Sequence, residues 1–293
     1  MTRRFALLVN PSSSGGRAAR SLPAALAELD RHGARHRTIE TRSLEHAAEE
    51  AVRAGEQGET VAALGGDGII RPIAGALAGK DASLAILPAG RGNDLARVLG
   101  IPADPTEAAR IAVEGDEWEM DVAEVDGTPY VGIASLGFDS ICNRIANDTK
   151  IIKGGLVYLY SALRTLAGWK AASFQVTVDG ERHEVTGYTV AVGNSKAYGG
   201  GMYLLPDAEL DDGLLDVLMI SDHGKLTFLR GLARVFKGTH LDSPHARLAR
   251  GSVVEVRADR QFVVYADGDP VGATPATMRV KRRCLRVIVP PRS

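Results

Sequence analysis

Residues Ala63–Leu77, ALGGDGIIRPIAGAL, decide how this chain is read. An apolar run ends at Gly65-Gly66-Asp67-Gly68, and helical spacing follows. A buried strand that turns through glycines into a helix gathers backbone N–H groups at a helix N-terminus, an arrangement suited to an anion. The same residues could also form nothing more than a strand-to-helix turn. Neither Ile69 nor Ile70 carries a hydroxyl, and Arg71 follows them, so a nucleotide site here would lack a side-chain donor that is usual in such loops.

The flanking sequence favours the first reading. Strand-like runs at Phe5–Val9, Arg37–Glu40, Thr60–Leu64 and Ser83–Leu87 alternate with helical patterns at Arg17–Ala34, Leu44–Ala54, Ile70–Leu77, Leu95–Leu99 and Thr106–Val113. That alternation predicts a doubly wound α/β domain with a parallel sheet covered on both faces. Ligands of such sheets bind beyond the carboxyl ends of the strands. The segments NPSSSGG, GGDG and PAGRGND each follow a strand and therefore share that edge. In the last of them Asn93 or Asp94 is positioned to cap the next helix. No Walker A lysine spacing and no GxGxxG occurs, so the standard nucleotide fingerprints do not apply.

From about Glu119 the pattern changes to short β-type runs, among them MDVAEV, SFQVTV, GYTVAV, LLDVLMI, VVEVRA, QFVVYA, TMRVK and LRVIV. Asp126-Gly127 and Asp179-Gly180 lie between alternating apolar residues, a strong hairpin signal. Helical patterns at Leu156–Trp169 and Leu226–Lys237 interrupt the series. The expected architecture is an α/β domain over residues 1–120 and a mostly antiparallel β-sandwich over 121–293, whose last strand is free to return to the first domain.

Composition fits a globular protein with a sizeable core: 293 residues, 45% hydrophobic and 24% charged. A formal net charge of -1 gives no reason to expect nucleic acid as a partner. The two cysteines, Cys142 and Cys284, have no metal-spaced neighbours and read as reduced, in keeping with a cytoplasmic protein. No apolar run reaches the roughly 18 residues of a membrane span, and the N-terminal segment is too short for a signal peptide.

The ordered motifs NPSSSGG, GGDG, LPAGRGNDLAR, SLGFDS, DAELDDGLLDV and DGDP resemble the diacylglycerol kinase catalytic-domain family, in particular the soluble bacterial lipid kinases, over about residues 5 to 290. The resemblance implies a nucleotide domain of the phosphofructokinase and NAD-kinase type, a β-rich second domain and an active site between them. It also implies ATP with magnesium as phosphoryl donor, a lipid hydroxyl at the membrane surface as acceptor, and an occasional homodimer. The ATP-contacting loop falls on Asn10, Pro11, Ser13, Ser14 and Gly15, joined by Thr41. The glycine loop falls on Gly65, Gly66, Asp67 and Gly68, with Asp67 acting at the phosphates or magnesium. Asn93 belongs to the third loop. Asp269 stands where the family has a glutamate general base, Asp139 matches an acidic residue beside the family's active site and is expected on the substrate side, and a structural magnesium would take the Asp212 carboxylate and the Glu209 and Leu214 carbonyls.

Four positions depart from the family pattern: Ile69 and Arg91 replace threonines, Arg71 an asparagine and Asp269 the glutamate. A cation in the first turn of a helix opposes the macrodipole unless an anion sits there. Arg71 and Arg91 are therefore expected phosphate contacts, against the simpler reading of exposed or carboxylate-paired arginines. Asp269 is expected to accept the proton of an attacking hydroxyl, against a plain hairpin at Asp267-Gly268. Helix Leu156–Trp169, with Lys150, Lys153 and Lys170 beside it, reads either as core or as a membrane-facing element. Two other functions stay open: a weakened family member that binds nucleotide or lipid as a regulator, and a kinase for a soluble alcohol.

Overall fold

The structure is a computed structural model that describes residues 3–11, 15–149, 156–235 and 237–291. The first half runs β1 (Arg4–Val9), α1 (Arg17–Arg31), β2 (Arg35–Glu40), α2 (Leu44–Glu56), β3 (Thr60–Gly65), α3 (Asp67–Leu77), β4 (Ser83–Pro88), α4 (Asp94–Val98) and α5 (Pro105–Glu114). β2, β1, β3 and β4 pair in that order, all parallel. Every residue of β3 and β4 is buried, as a sheet covered on both faces requires. Local sequence sets the helix starts: Ser43 accepts from the His46 N–H, and Asp104, followed by Pro105, accepts from the Thr106 and Glu107 N–H groups.

The second half continues with β5 (Asp116–Val125), β6 (Thr128–Tyr130), β7 (Ile133–Gly137), α6 (Phe138–Asp148), α7 (Leu156–Gly168), β8 (Ala172–Val178) and β9 (Glu181–Gly193). It ends with β10 (Leu215–Ser221), α8 (Lys225–Val235), β11 (Ala246–Gly251), β12 (Val253–Ala258), β13 (Val263–Ala266), β14 (Asp269–Ala273) and β15 (Ala276–Val289). Its pairings are antiparallel, with the order β14-β13-β7-β9-β8-β12-β15. Asp126-Gly127 and Asp179-Gly180 take positive φ at both positions, 47° and 89° in one and 47° and 91° in the other, and close tight hairpins.

Helix α6 has no counterpart in the sequence reading, which saw LGFDS only as a motif. TMRVK and LRVIV are not two strands but the two ends of β15. That strand pairs with β12 at one end, runs parallel to β4 at the other, and pairs with β5 on both sides of a bulge. Accordingly Ala276 and Met278 belong to the second hydrophobic core, while Leu285, Val287, Ile288 and Val289 lie in the first. The register shifts between Lys281 and Leu285, where Arg283 takes φ 44°. Buried Asp121 holds this bulge, accepting from the Arg283 N–H at 2.6 Å and the Gly213 N–H at 2.7 Å. Helix α3 meets the second half through Gly75, where a Cβ would lie 2.2 Å from Pro129 Cγ. No helix among the described residues is long and apolar enough to cross a membrane.

Candidate active site

β1 leads into Asn10-Pro11, and Gly15 and Gly16 take φ 68° and 77° before α1 begins, a conformation that favours glycine. Ser13 and Ser14 lie outside the described residues. Thr41 is drawn against this loop: its N–H and its hydroxyl both donate to the Val9 carbonyl, at 2.8 and 3.3 Å. The hydroxyl proton is thus already engaged within the protein.

The second and third loops touch. Gly65 O accepts from the Ala89 N–H at 2.7 Å, and a Cβ on Gly90 would fall 2.5 Å from Gly66 Cα. Arg17 Nη1 donates to Gly90 O at 3.0 Å, which ties the first loop to the third. Asn93, with φ 53°, spends its amide on Gly90, accepting from its N–H at 2.7 Å and donating to its carbonyl at 3.3 Å. The expected cap by Asn93 or Asp94 is therefore corrected: Asp67 Oδ1 reaches across to accept from the Asp94 N–H at 2.8 Å. Burial raises the Asp67 carboxyl above its ordinary value, and Asp94 adds to this, against N–H donors at the start of α4. Ile69 is 5% exposed in the first core and its N–H donates to Gly66 O, so it offers a nucleotide no polar atom. Gly68 has open space beside it and Arg91 is exposed on the third loop.

Arg71 is not a free phosphate ligand. Its Nη2 donates to Asp269 Oδ2 at 2.9 Å, while its Nε is buried without a hydrogen-bond partner. Asp267-Gly268 does form a hairpin turn, with φ 51° and 89°, and that turn delivers Asp269 at the start of β14 to helix α3. Sequence reasoning took Asp267 as a turn residue only. Its carboxylate accepts from the Val131 and Gly132 N–H groups, each at 2.9 Å, and a Cβ on Gly132 would lie 2.4 Å from Asp267 Oδ1. Desolvation pushes the Asp267 carboxyl up to about 6, against those two donors and Arg71, with Asp67 adding to the rise. Asp67, Arg71, Asp267 and Asp269 thus converge where the α/β half meets the β half.

Asp139, in the first turn of α6, accepts from the Tyr198 hydroxyl at 2.8 Å, and its Oδ2 is buried without a partner. Burial raises this carboxyl, against hydrogen bonds from Ser135 and Tyr198. Two residues on, the Gly200 N–H donates to Asp94 Oδ2 at 2.8 Å. The loop Gly199-Gly200-Gly201 takes φ 65°, 87° and 107°, and its triple glycine is the signal that the sequence reading passed over. Beside Asp139 lies a cavity of about 90 Å³ whose walls are mostly apolar, among them Phe138, Leu204, Leu218, Phe228 and Leu232.

Of the residues expected to hold a structural magnesium, Asp212 is engaged within the protein. Asp212 accepts from the Leu214 N–H at 2.9 Å through Oδ1, and its Oδ2 meets the Arg250 guanidinium. Each oxygen thus has one donor within the protein, and the surroundings are mixed in charge: Arg250 also pairs with Asp216, and Asp212 acts electrostatically on both Asp121 and Asp216. Among the described residues no group of three or more acidic, histidine or cysteine side chains is arranged to hold a metal.

Comparison with known proteins agrees with this architecture. Residues 4–125 match the family model described as the diacylglycerol kinase catalytic domain, and residues 132–289 match the YegS C-terminal NAD kinase beta sandwich-like domain. A diacylglycerol kinase of Mycobacterium tuberculosis is 32% identical, over 97% of this chain and 94% of that one. A probable lipid kinase YegS-like of Pseudomonas aeruginosa is 33% identical, over 97% and 93%. The crystal structure of a diacylglycerol kinase from Bacillus anthracis shares the fold, with a TM-score of 0.77 at 20% identity over 98% of this chain and 97% of that one. The α/β domain joined to a β-sandwich is thus the two-domain architecture of this enzyme class. The chain belongs to the diacylglycerol kinase catalytic-domain family, and it is a lipid kinase, a phosphotransferase.

Proposed function

We propose that the protein transfers the γ-phosphoryl group of ATP, carried as its magnesium complex, to the hydroxyl of a diacylglycerol-type lipid, working from the cytoplasm at a membrane surface. One observation carries this reading: a polar chain runs from the apolar cavity to the glycine loops, through Asp139 to Tyr198 and, two residues on, from Gly200 to Asp94 and Asp67. It links a place suited to an acyl-bearing acceptor with a place suited to phosphates. The loops at Asn10–Gly15, Gly65–Gly68 and Gly90–Asn93 hold the nucleotide, with Arg91 at their rim. Asp67 orders the third loop.

Asp269 serves as general base, held by Arg71. The acceptor oxygen bonds to the γ-phosphorus as its proton passes to the Asp269 carboxylate, the bond to the β–γ bridging oxygen breaks, and ADP leaves. Phosphoryl transfer of this kind depends on positioning and charge neutralisation more than on covalent help from the protein. One observation favours the alternative of a weakened, regulatory member: the proposed base is already ion-paired with Arg71. Incubation with labelled ATP, magnesium, and a panel of lipid and water-soluble alcohols decides between them. Labelled phosphate on a diacylglycerol is the expected result; nucleotide binding with no transfer to any acceptor would overturn the kinase reading.

A further inference from the structure

The cavity beside Asp139 has polar groups in its mostly apolar wall, and the protons of four of them are already placed. The Thr189 hydroxyl donates to Leu136 O at 2.7 Å, and the Tyr198 hydroxyl to Asp139 Oδ1 at 2.8 Å. His223 Nδ1 faces Ser221 O at 2.6 Å, and His240 Nε2 faces Leu204 O at 3.0 Å. A carbonyl oxygen only accepts, so the ring nitrogen that faces it carries the proton. In a neutral ring the other nitrogen is then a bare acceptor. These side chains and the Asp139 carboxylate therefore keep lone pairs for a ligand, and no proton. The rest of the polar lining is Ser243, whose hydroxyl accepts from the His245 N–H at 3.3 Å, and His245, whose ring stacks on His223.

His240 is the decisive member. It stands between α8 and β11 and is 6% exposed, and its Nδ1 is buried without a hydrogen-bond partner. Burial holds its ring below the ordinary histidine value, against the bond to Leu204, so the ring is neutral and Nδ1 accepts. A buried acceptor left unpaired is costly, and a ligand that donates to it removes that cost. No lysine or arginine is among the described residues of the wall, so an anionic group finds no countercharge there. An ester carbonyl finds no donor at His240. A hydroxyl does find its acceptor.

One short segment holds both acceptors. Tyr198 and Met202 exchange backbone hydrogen bonds at 3.0 and 3.1 Å. Tyr198 holds Asp139, and Leu204, two residues beyond Met202, holds His240. From the Asp139 end the segment continues through Gly200 to Asp94 and the glycine loops. We infer that the preferred acceptor lipid carries a second hydroxyl beside the one phosphorylated, and that His240 Nδ1 accepts from it while the reacting hydroxyl lies at the Asp139 end. This narrows the lipid-acceptor reading and rests on it for which hydroxyl reacts. A monoacylglycerol or another single-chain diol meets the requirement, whereas the one hydroxyl of a diacylglycerol leaves Nδ1 unpaired.

The test is calorimetric titration of the full chain with a straight-chain primary alcohol and with the vicinal diol of the same chain length. Wild-type protein should bind the diol about ten-fold more tightly, as expected for pairing a buried acceptor. His240→Gln offers an amide N–H to Leu204 O in place of Nε2–H and removes Nδ1. The advantage of the diol should then shrink to about two-fold or less. In turnover with ATP, kcat/KM for a monoacylglycerol should exceed that for a diacylglycerol about ten-fold in wild type, and the two should converge in His240→Gln. Equal wild-type affinity for the two alcohols overturns the inference whether or not the variant folds. So does an undiminished diol advantage in folded His240→Gln. A diol advantage without phosphorylation of any lipid would instead sink the kinase reading and leave the His240 contact standing. Phosphorylation of both lipids at equal rates, with no diol advantage in binding, would do the reverse.

Discussion

Arg71 and Asp269, 198 residues apart in sequence, form an ion pair of 2.9 Å that joins helix α3 to the β13–β14 hairpin. Arg71 is 14% exposed and Asp269 44%, so water reaches the carboxylate while the guanidinium is held in place. The two residues are also two of the four departures from the family pattern. Under the proposed function, Asp269 is the base and the longer, charged Arg71 positions its carboxylate.

Replacing Asp269 by asparagine keeps the shape and removes the proton acceptor. Turnover should fall by about 10²–10⁴-fold with nucleotide affinity little changed. Arg71→Ala leaves the carboxylate unheld, and a displacement of about 1 Å costs roughly 100-fold in rate. Steady-state kinetics on both variants check this, and full activity in Asp269→Asn would remove the base assignment.

Gly90 has no room for a side chain, since its Cβ would meet Gly66 Cα at 2.5 Å. Gly90→Ala should push the second and third loops apart. KM for ATP is expected to rise at least ten-fold, with KM for the acceptor unchanged. An unaltered KM for ATP would mean that the loops do not grip the nucleotide together.

Gly75 is the matching contact between the two halves. Gly75→Val drives its side chain against Pro129 and should destabilise the protein by about 1–3 kcal/mol, the usual cost of overpacking. Because α3 also carries Arg71, turnover should fall as well. A melting curve and a rate measured on the same sample separate the two effects.

The Asp267 carboxyl stands at about 6, above its ordinary 3.8. Between those values the folded protein holds this proton more tightly than the unfolded chain does. The group's contribution to stability is therefore fully present below pH 3.8 and is lost as pH rises through about 6. Wild-type Tm should fall across that window relative to Asp267→Asn, which lacks the titration. Asparagine also cannot serve both the Val131 and Gly132 N–H groups as acceptor, so the variant should be less stable at neutral pH, by about 1–3 kcal/mol. Parallel Tm curves for the two proteins would contradict the assignment.

The sequence by itself determined the alternating elements of the first half, the glycine turns at one sheet edge and the hairpins at Asp126 and Asp179. Each of these depends on residues close together in the chain: apolar period, a cap, or a glycine where φ must be positive. Helix α6 escaped the reading because its short amphipathic pattern begins inside the LGFDS motif, directly after a strand. Tertiary structure alone decided that β15 is one strand shared by both cores, that Asp67 rather than Asn93 caps α4, and that Gly199–Gly201 reaches Asp94. It also decided that Asp267 binds backbone N–H groups and that Arg71 meets Asp269 instead of standing free for a phosphate. The physical reason is the same in each case. Local propensity selects an element, whereas the partner of a buried charge is chosen by whichever distant group the packed sheet brings within hydrogen-bond reach.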